Sequence, residues 1–306
     1  MNTEFGDKTD LSGRSFTQET DLFGGEEHYD PGYDSRQEAA LQKLELIPFP
    51  GIGKEDGKEW QGREITNLKG EQLLVFYSLK EDKTQFGTEI EKYYICDSDL
   101  KYAIPLHRLW EEDPDVHVFQ GNTSGTYMIR KDGKNNIVLS RGDGNLLKRI
   151  SKIQEERPGN RESKREKARL LTSYLSVIGP IHEFAHHLQI SPNSPISTES
   201  SLITILTHKL LSNETFVHLA SKVYPGLKEK INELRKIQAE IERNAEAFTL
   251  MALRILGGSE IDIIEFFGGV EQIIELTQLR LELAGSESAT GGFPFTDQER
   301  REIRQL

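Results

Sequence analysis

Residues 170–189 read LLTSYLSVIGPIHEFAHHLQ, and the organisation of the C-terminal half turns on them. Leu170, Leu171, Tyr174, Leu175, Ile178, Ile181, Phe184, Ala185 and Leu188 recur at spacings of three and four, the period of a helix with one face against a core. Pro180 interrupts that period. Lacking an N–H, it either opens a new helix as a first-turn residue or kinks a continuing one and frees a carbonyl near Ser176. We expect a fresh start at Gly179-Pro180, against the strong apolar period through Ile178 that favours a kinked continuation.

Within this stretch lies His182-Glu183-Phe184-Ala185-His186. Four residues along a helix return a side chain to nearly the same face, so His182 and His186 can offer imidazole nitrogens to one cation, an arrangement natural for zinc. Glu183 stands one step on, where a carboxylate can take a proton from water without being a ligand itself. Two histidines and a glutamate on a helix built to be buried are costly unless a partner such as a metal satisfies them.

A catalytic zinc site takes three protein ligands and leaves one position open. By residue type the third is His187, His208, His218, Glu199, Glu214 or a carboxylate of a later helix. His187 points roughly 100° away from His186, and His208 and His218 lie in segments without a ligand pattern. Glu242 and Glu246 flank an apolar stripe and are better placed, although a pair of carboxylates four apart is ordinarily a solvated edge.

HEFAHHLQ (182–189) followed by ERNAEAFTLMAL (242–253) resembles the zincin metallopeptidases, in the gluzincin arrangement where a later helix supplies a glutamate. The pattern is most similar to the ImmA/IrrE-type family, which pairs its HExxH helix with a helix of the form E-x-x-A-N-x-F-A. That resemblance implies Zn2+ held by His182, His186 and Glu242, with Glu183 as the catalytic base, and packing roles for Ala245 and Phe248. Glu246 stands where the family carries Asn, which leaves it as a rival ligand. The sixty residues between His182 and Glu242 exceed the family's usual spacing and imply an inserted helical excursion at 191–225. The resemblance covers about thirty residues, and residues 1–140 match no family pattern.

Outward from the motif, the long segment 226–256 places Leu227, Ile231, Leu234, Ile241, Ala245, Phe248, Ala252 and Ile255 on one stripe, an amphipathic core helix ending at Gly257-Gly258. Further helices are expected at 260–267 and 270–284, then a linker and a polar helix that Thr296 can cap. Residues 146–170 carry nine basic and four acidic side chains. The carboxylates interleave and no aromatic residue is available to stack on a base, so a solvated helix face is the better reading than a nucleic-acid contact.

Residues 60–145 differ. Segments rich in β-branched and aromatic residues, LLVFYSL, EKYYICD, VHVFQG, GTYMIRK and NNIVLSR, alternate with turn signals. Lys131-Asp132-Gly133-Lys134 suits a tight hairpin between arms 126–130 and 136–141, and Arg141-Gly142-Asp143 reads as a turn. This predicts an antiparallel sheet. Ahead of it, SRQEAALQKLELI from Ser35 offers an N-cap with Glu38 three residues later, a capping-box pattern opening one short helix.

The chain has 306 residues, enough for about two domains, with 36% apolar and 29% charged residues and a net charge of −12. Residues 1–40 hold ten carboxylates against three basic groups, and 1–34 lack any helical or strand period, which predicts a disordered acidic tail. The net charge repels nucleic acid and anionic membranes at long range. No apolar run approaches the roughly 18 residues needed to cross a bilayer. The N-terminus lacks a signal-peptide pattern, and the single cysteine, Cys96, fits a reducing compartment, so a cytoplasmic location is expected.

Together these observations predict an α+β protein: a disordered acidic tail (1–34), a short helix and small antiparallel β-rich region (35–145), a mostly helical zincin-like metallopeptidase domain (146–285), and a linker with a C-terminal helix (286–306). The expected function is zinc-dependent hydrolysis of a peptide or protein substrate, with neither membrane nor nucleic acid as partner. The rivals are a non-catalytic zinc-containing regulatory protein and, less favoured, a nucleic-acid-associated factor. Tyr174, His208, His218 and Tyr224 have the chemistry to stabilise an oxyanion, and nothing singles one out. Substrate and oligomeric state leave no mark in the sequence.

Overall fold

Alternation of apolar and polar residues dictates the first half. The computed structural model describes residues 33–52, 59–84, 87–121, 126–129, 135–140, 160–189, 222, 226, 242, 244–257 and 260–287. Helix α1 (Tyr33–Leu41) leads to β1 (Ile47–Pro48), β2 (Glu59–Thr66), β3 (Gln72–Thr84), β4 (Gly87–Asp97), β5 (Tyr102–Pro105), a 3-10 turn (Leu106–Leu109), β6 (Val116–Gly121), β7 (Thr126–Ile129) and β8 (Asn135–Ser140). These eight strands form one sheet. The long β4 pairs along one side with β3, and on the other with β5 at one end and β6 at the other. Leu73, Val75, Ile90, Tyr93 and Ile95 are buried on these two strands, as a half-buried strand with period two requires.

Gly87 fits the crossing of β4 and β6. It has φ +126°, and a Cβ there would meet the Gln120 carbonyl oxygen, so only glycine allows this approach.

The sheet is not wholly antiparallel. The hairpin arms β7 and β8 pair antiparallel, from Thr126 opposite Val138 to Ile129 opposite Asn135, but β8 also runs parallel to β6, with Val116 opposite Asn135 and Gly121 opposite Ser140. The chain leaves β6, forms β7 at the outer edge and returns through β8 between them. Such insertion makes β8 central, and Ile137, Val138 and Leu139 are all buried.

Helix α2 (Arg161–Gln189) is continuous, with Pro180 inside it, which corrects the expected fresh start. Proline at 180 has no N–H to give the Ser176 carbonyl four residues earlier; the Tyr93 hydroxyl on β4 donates to it instead, at 3.1 Å. The helix therefore continues through the proline with its freed acceptor satisfied. It packs against β2, β7, β8 and the 3-10 turn through a buried face that includes Leu170, Tyr174, Ile178, Ile181 and Ala185. Burial of each larger apolar side chain there contributes about 1.5–3 kcal/mol.

Three further helices complete the described fold: α3 (residues 244–256), α4 (Ile263–Phe266) and α5 (Val270–Glu287). On α3 the stripe Ala245, Phe248 and Ala252 is buried. Ile255, however, is 49% exposed and Leu256 takes the core position instead, because a step of four from Ala252 keeps to the face better here than a step of three. Helix α4 is shorter than the expected 260–267: Asp262 caps it, its side chain accepting from the Glu265 amide at 3.0 Å. At the other end of the chain, α1 starts at Tyr33, so Ser35 lies within the helix and not at its cap.

The expected disordered tail (1–34) lies outside the described residues except for Tyr33 and Asp34, which belong to α1; the expected excursion at 191–225 except for Lys222, and all of 227–241, the turn 131–134, the basic residues 148–157 and the segment 288–306 also lie outside them. Among the described residues no helix is long and apolar enough to cross a membrane.

Candidate metal centre

Helical period brings the first two candidate ligands together. His182 and His186, one turn apart on α2, have ring centroids 4.7 Å apart with planes at 86°. The third comes from the helical residue Glu242, sixty positions later. One oxygen of Glu242 and one nitrogen of each histidine all lie within 4.8 Å of one another. His182 Nε2 is 3.5 Å from Glu242 Oε2, and His186 Nε2 is 3.8 Å from Glu242 Oε1. Ligands bound to a metal at 2.0–2.1 Å in a tetrahedron are about 3.3 Å apart, so the three donors, within 4.8 Å of one another, could hold a metal ion after moving inward.

Both imidazoles turn Nε2 toward Glu242 and Nδ1 toward an acceptor. Nδ1 of His182 lies 3.4 Å from Glu246 Oε1, and Nδ1 of His186 lies 3.1 Å from Gln189 Oε1. For His186 the Gln189 acceptor holds the proton on Nδ1 and leaves the Nε2 lone pair for a cation; the contact of His182 Nδ1 with Glu246 lies at ion-pair distance without hydrogen-bond geometry. Burial, reinforced by the positive charge of Arg280 and partly offset by Glu242, pushes the His182 imidazole down to about 3. His182 is therefore neutral near pH 7, the form a metal needs.

Glu246 lies on the same side as Glu242 but is directed differently. It is fully buried and faces His182 Nδ1, on the far side of the ring from Glu242. Of the two carboxylates left open by the sequence, Glu242 joins the cluster that could hold a metal ion, and Glu246 stands outside it at 3.4 Å from His182 Nδ1. Burial alone raises the Glu242 carboxyl, but His186, His182 and Arg280 outweigh it and hold the group well below its usual range.

Arg280 on α5 carried no signal that drew notice in the sequence, yet it ties both carboxylates together. Its Nη2 donates to Glu242 Oε2 at 2.9 Å, and its Nε forms an ion pair with Glu246 Oε1. The available clue was a charged residue continuing the buried face Ile273, Leu276 and Thr277 at helical spacing. Gln189, three residues after His186, was likewise missed.

Glu183 is nearly buried beside the ligands. His187 turns away from the cluster, as its position on the helix requires, and its Nε2 meets Asp113 Oδ2 at 2.9 Å. That hydrogen bond is the main cause of the lowered Asp113 carboxyl. Tyr174 is directed into the core, its hydroxyl 3.0 Å from Thr277 Oγ1, and burial pushes its phenol up to about 12. Glu199, His208, Glu214, His218 and Tyr224 lie outside the described residues.

The chain matches no protein-family model, no curated protein and no solved structure.

Proposed function

We propose that this protein is a zinc-dependent metallopeptidase of zincin type, acting on a peptide or protein substrate. The observation that carries the reading is the convergence of His182, His186 and Glu242, from two helices far apart in sequence, with both histidines presenting Nε2 to the glutamate and His186 holding Nδ1 against Gln189. A fortuitous HExxH has no reason to gather a carboxylate ligand and oriented rings at the same point.

His182, His186 and Glu242 would hold the ion. Bound zinc supplies Lewis-acid polarisation of a carbonyl and acidifies water near neutral pH. Glu183 accepts the proton of the attacking water on its carboxylate and delivers it to the departing amine. The ligands' burial keeps their charges unscreened by solvent. Among the described residues strand β7 ends the sheet and packs against α2, a position from which a strand edge can pair with the backbone of an extended peptide.

The test uses purified full-length protein, metal analysis and a pool of mixed-sequence peptides followed by mass spectrometry. The expected result is about one zinc per chain, cleavage that stops with a chelator and returns with zinc, and a Glu183→Gln variant that keeps zinc while losing turnover by at least a hundredfold. Zinc-loaded wild type that leaves the peptide pool intact would point instead to a regulatory zinc protein. Folded wild type that takes up no zinc would end the metal reading.

A further inference from the structure

We infer that Arg280 is the positioning residue of the metal centre, its planar guanidinium locking Glu242 as a ligand and Glu246 beside His182; the inference rests on the metal reading above. Nη2 holds Glu242 Oε2 at 2.9 Å while Nε pairs with Glu246 Oε1. One side chain therefore spans two carboxylates on successive turns.

The arrangement answers a physical difficulty. Glu246 is 0% exposed, and an ionised carboxylate in that position is destabilising unless paired. His182 is a weak compensator, since its Nδ1 stands 3.4 Å from Glu246 Oε1 without hydrogen-bond geometry. Arg280 supplies the missing charge, and the same fork restrains the Glu242 carboxylate near both Nε2 atoms. Glutamate has three side-chain torsions, and fixing them in advance removes an ordering penalty from metal binding.

Arg280 is itself held. It follows Thr277 by one turn on α5, and Thr277 meets the buried Tyr174 of α2. Lys167 and Glu275 form a second link between the same two helices. The α2–α5 interface thus fixes the depth at which the guanidinium sits, two turns upstream of the histidines on α2.

Two variants separate positioning from charge. Arg280→Lys exchanges one cation for another, and a lysine ammonium has neither the planar fork nor the fixed spacing of its donors. The double change Arg280→Met with Glu246→Gln removes one cation and one anion together, leaves no charge at the fully buried position 246, and frees Glu242 from the guanidinium. Both therefore preserve the summed charge of the cluster. Zinc affinity is measured by competition with a chromogenic chelator, and cobalt(II) absorption reports ligand geometry. Thermal unfolding of each metal-free variant establishes that it is folded.

Zinc affinity is expected to fall about tenfold or more in both variants, the scale seen when groups orienting a metal ligand are lost, with altered visible bands for cobalt. A folded variant of either kind whose zinc affinity stays within threefold of wild type, with an unchanged cobalt spectrum, overturns the inference and leaves the metal reading intact. Wild type that binds neither ion overturns the metal reading and the inference with it.

Discussion

Tyr93 of β4 donates its hydroxyl hydrogen to the Ser176 carbonyl of α2 at 3.1 Å, and Ser176 is the residue four before Pro180. The sheet thus supplies the hydrogen bond that the proline withholds from its own helix. Without that donor a carbonyl at the sheet–helix contact would be left unsatisfied, at a cost of about 1–3 kcal/mol. Tyr93→Phe should therefore destabilise by that amount in urea unfolding. In a Pro180→Ala background the restored amide at 180 can serve Ser176, and the same change should be at least about 1 kcal/mol milder. Equal losses in the two backgrounds would show that the hydroxyl acts for some other reason.

A single asparagine joins the β2–β3 turn to the helical half. Asn67 Oδ1 accepts from the Lys69 and Glu71 amides, both at 2.9 Å, while Nδ2 donates to the Phe266 carbonyl at 2.6 Å. The first pair shapes the turn and the last satisfies the end of α4. Alanine at 67 removes all three together with the Nδ2 donation to Glu71 Oε2 at 2.6 Å, and we expect about 2–4 kcal/mol of lost stability. Serine, which can keep one turn contact but cannot reach Phe266, should recover a minor part. A loss below about 1 kcal/mol for Asn67→Ala would mean that water replaces the side chain at both ends.

Local patterns were legible in the sequence and long-range partners were not. The β-branched and aromatic residues of LLVFYSL and EKYYICD marked β3 and β4, and the Asp-Gly turn signal marked the β7–β8 arms, because composition and turn chemistry are properties of neighbouring residues. The parallel pairing of β8 with β6 left no local trace, since a strand's own pattern does not say which neighbour it takes. Pro180 was misjudged for the same reason: the group that lets the helix continue sits on Tyr93, more than eighty residues away. At the candidate metal centre His182 and His186 could be placed by helical spacing alone. Glu242 needed a resemblance to a known pattern to be preferred over Glu246, and Arg280 became visible only once α5 was packed beside α2.

Gln189 offers a test of how the second histidine is prepared. Its Oε1 lies 3.1 Å from His186 Nδ1, which keeps the proton on Nδ1 and the lone pair on Nε2. Gln189→Leu retains bulk and loses the acceptor. Zinc affinity should drop about 10-fold or more. The thermal stability gained by adding zinc should shrink with it, by about 1.4 kcal/mol per tenfold of affinity at fixed excess metal. An unchanged affinity would show that Nδ1 of His186 finds another acceptor when Gln189 is gone.

Acid sensitivity should have a contribution far from the metal centre. His107 in the 3-10 turn is 3% exposed, with Nδ1 3.2 Å from the Tyr93 carbonyl and its ring edge-on to Tyr94. Burial lowers its imidazole, and Lys92 and Arg108 add to the effect, against the opposing pull of Tyr93 and Glu111. The folded-state value thus lies below the unfolded value of about 6.5. Between the two the unfolded chain binds more protons than the native one, so this contribution to stability is complete above about pH 6.5 and is lost as the pH falls. His107→Gln should be destabilising at pH 7.5, and its deficit relative to wild type should narrow at pH 5.5, with a chelator present throughout so that metal release plays no part. A deficit that stays constant or widens on acidification would show that His107 is protonated in the fold as readily as outside it.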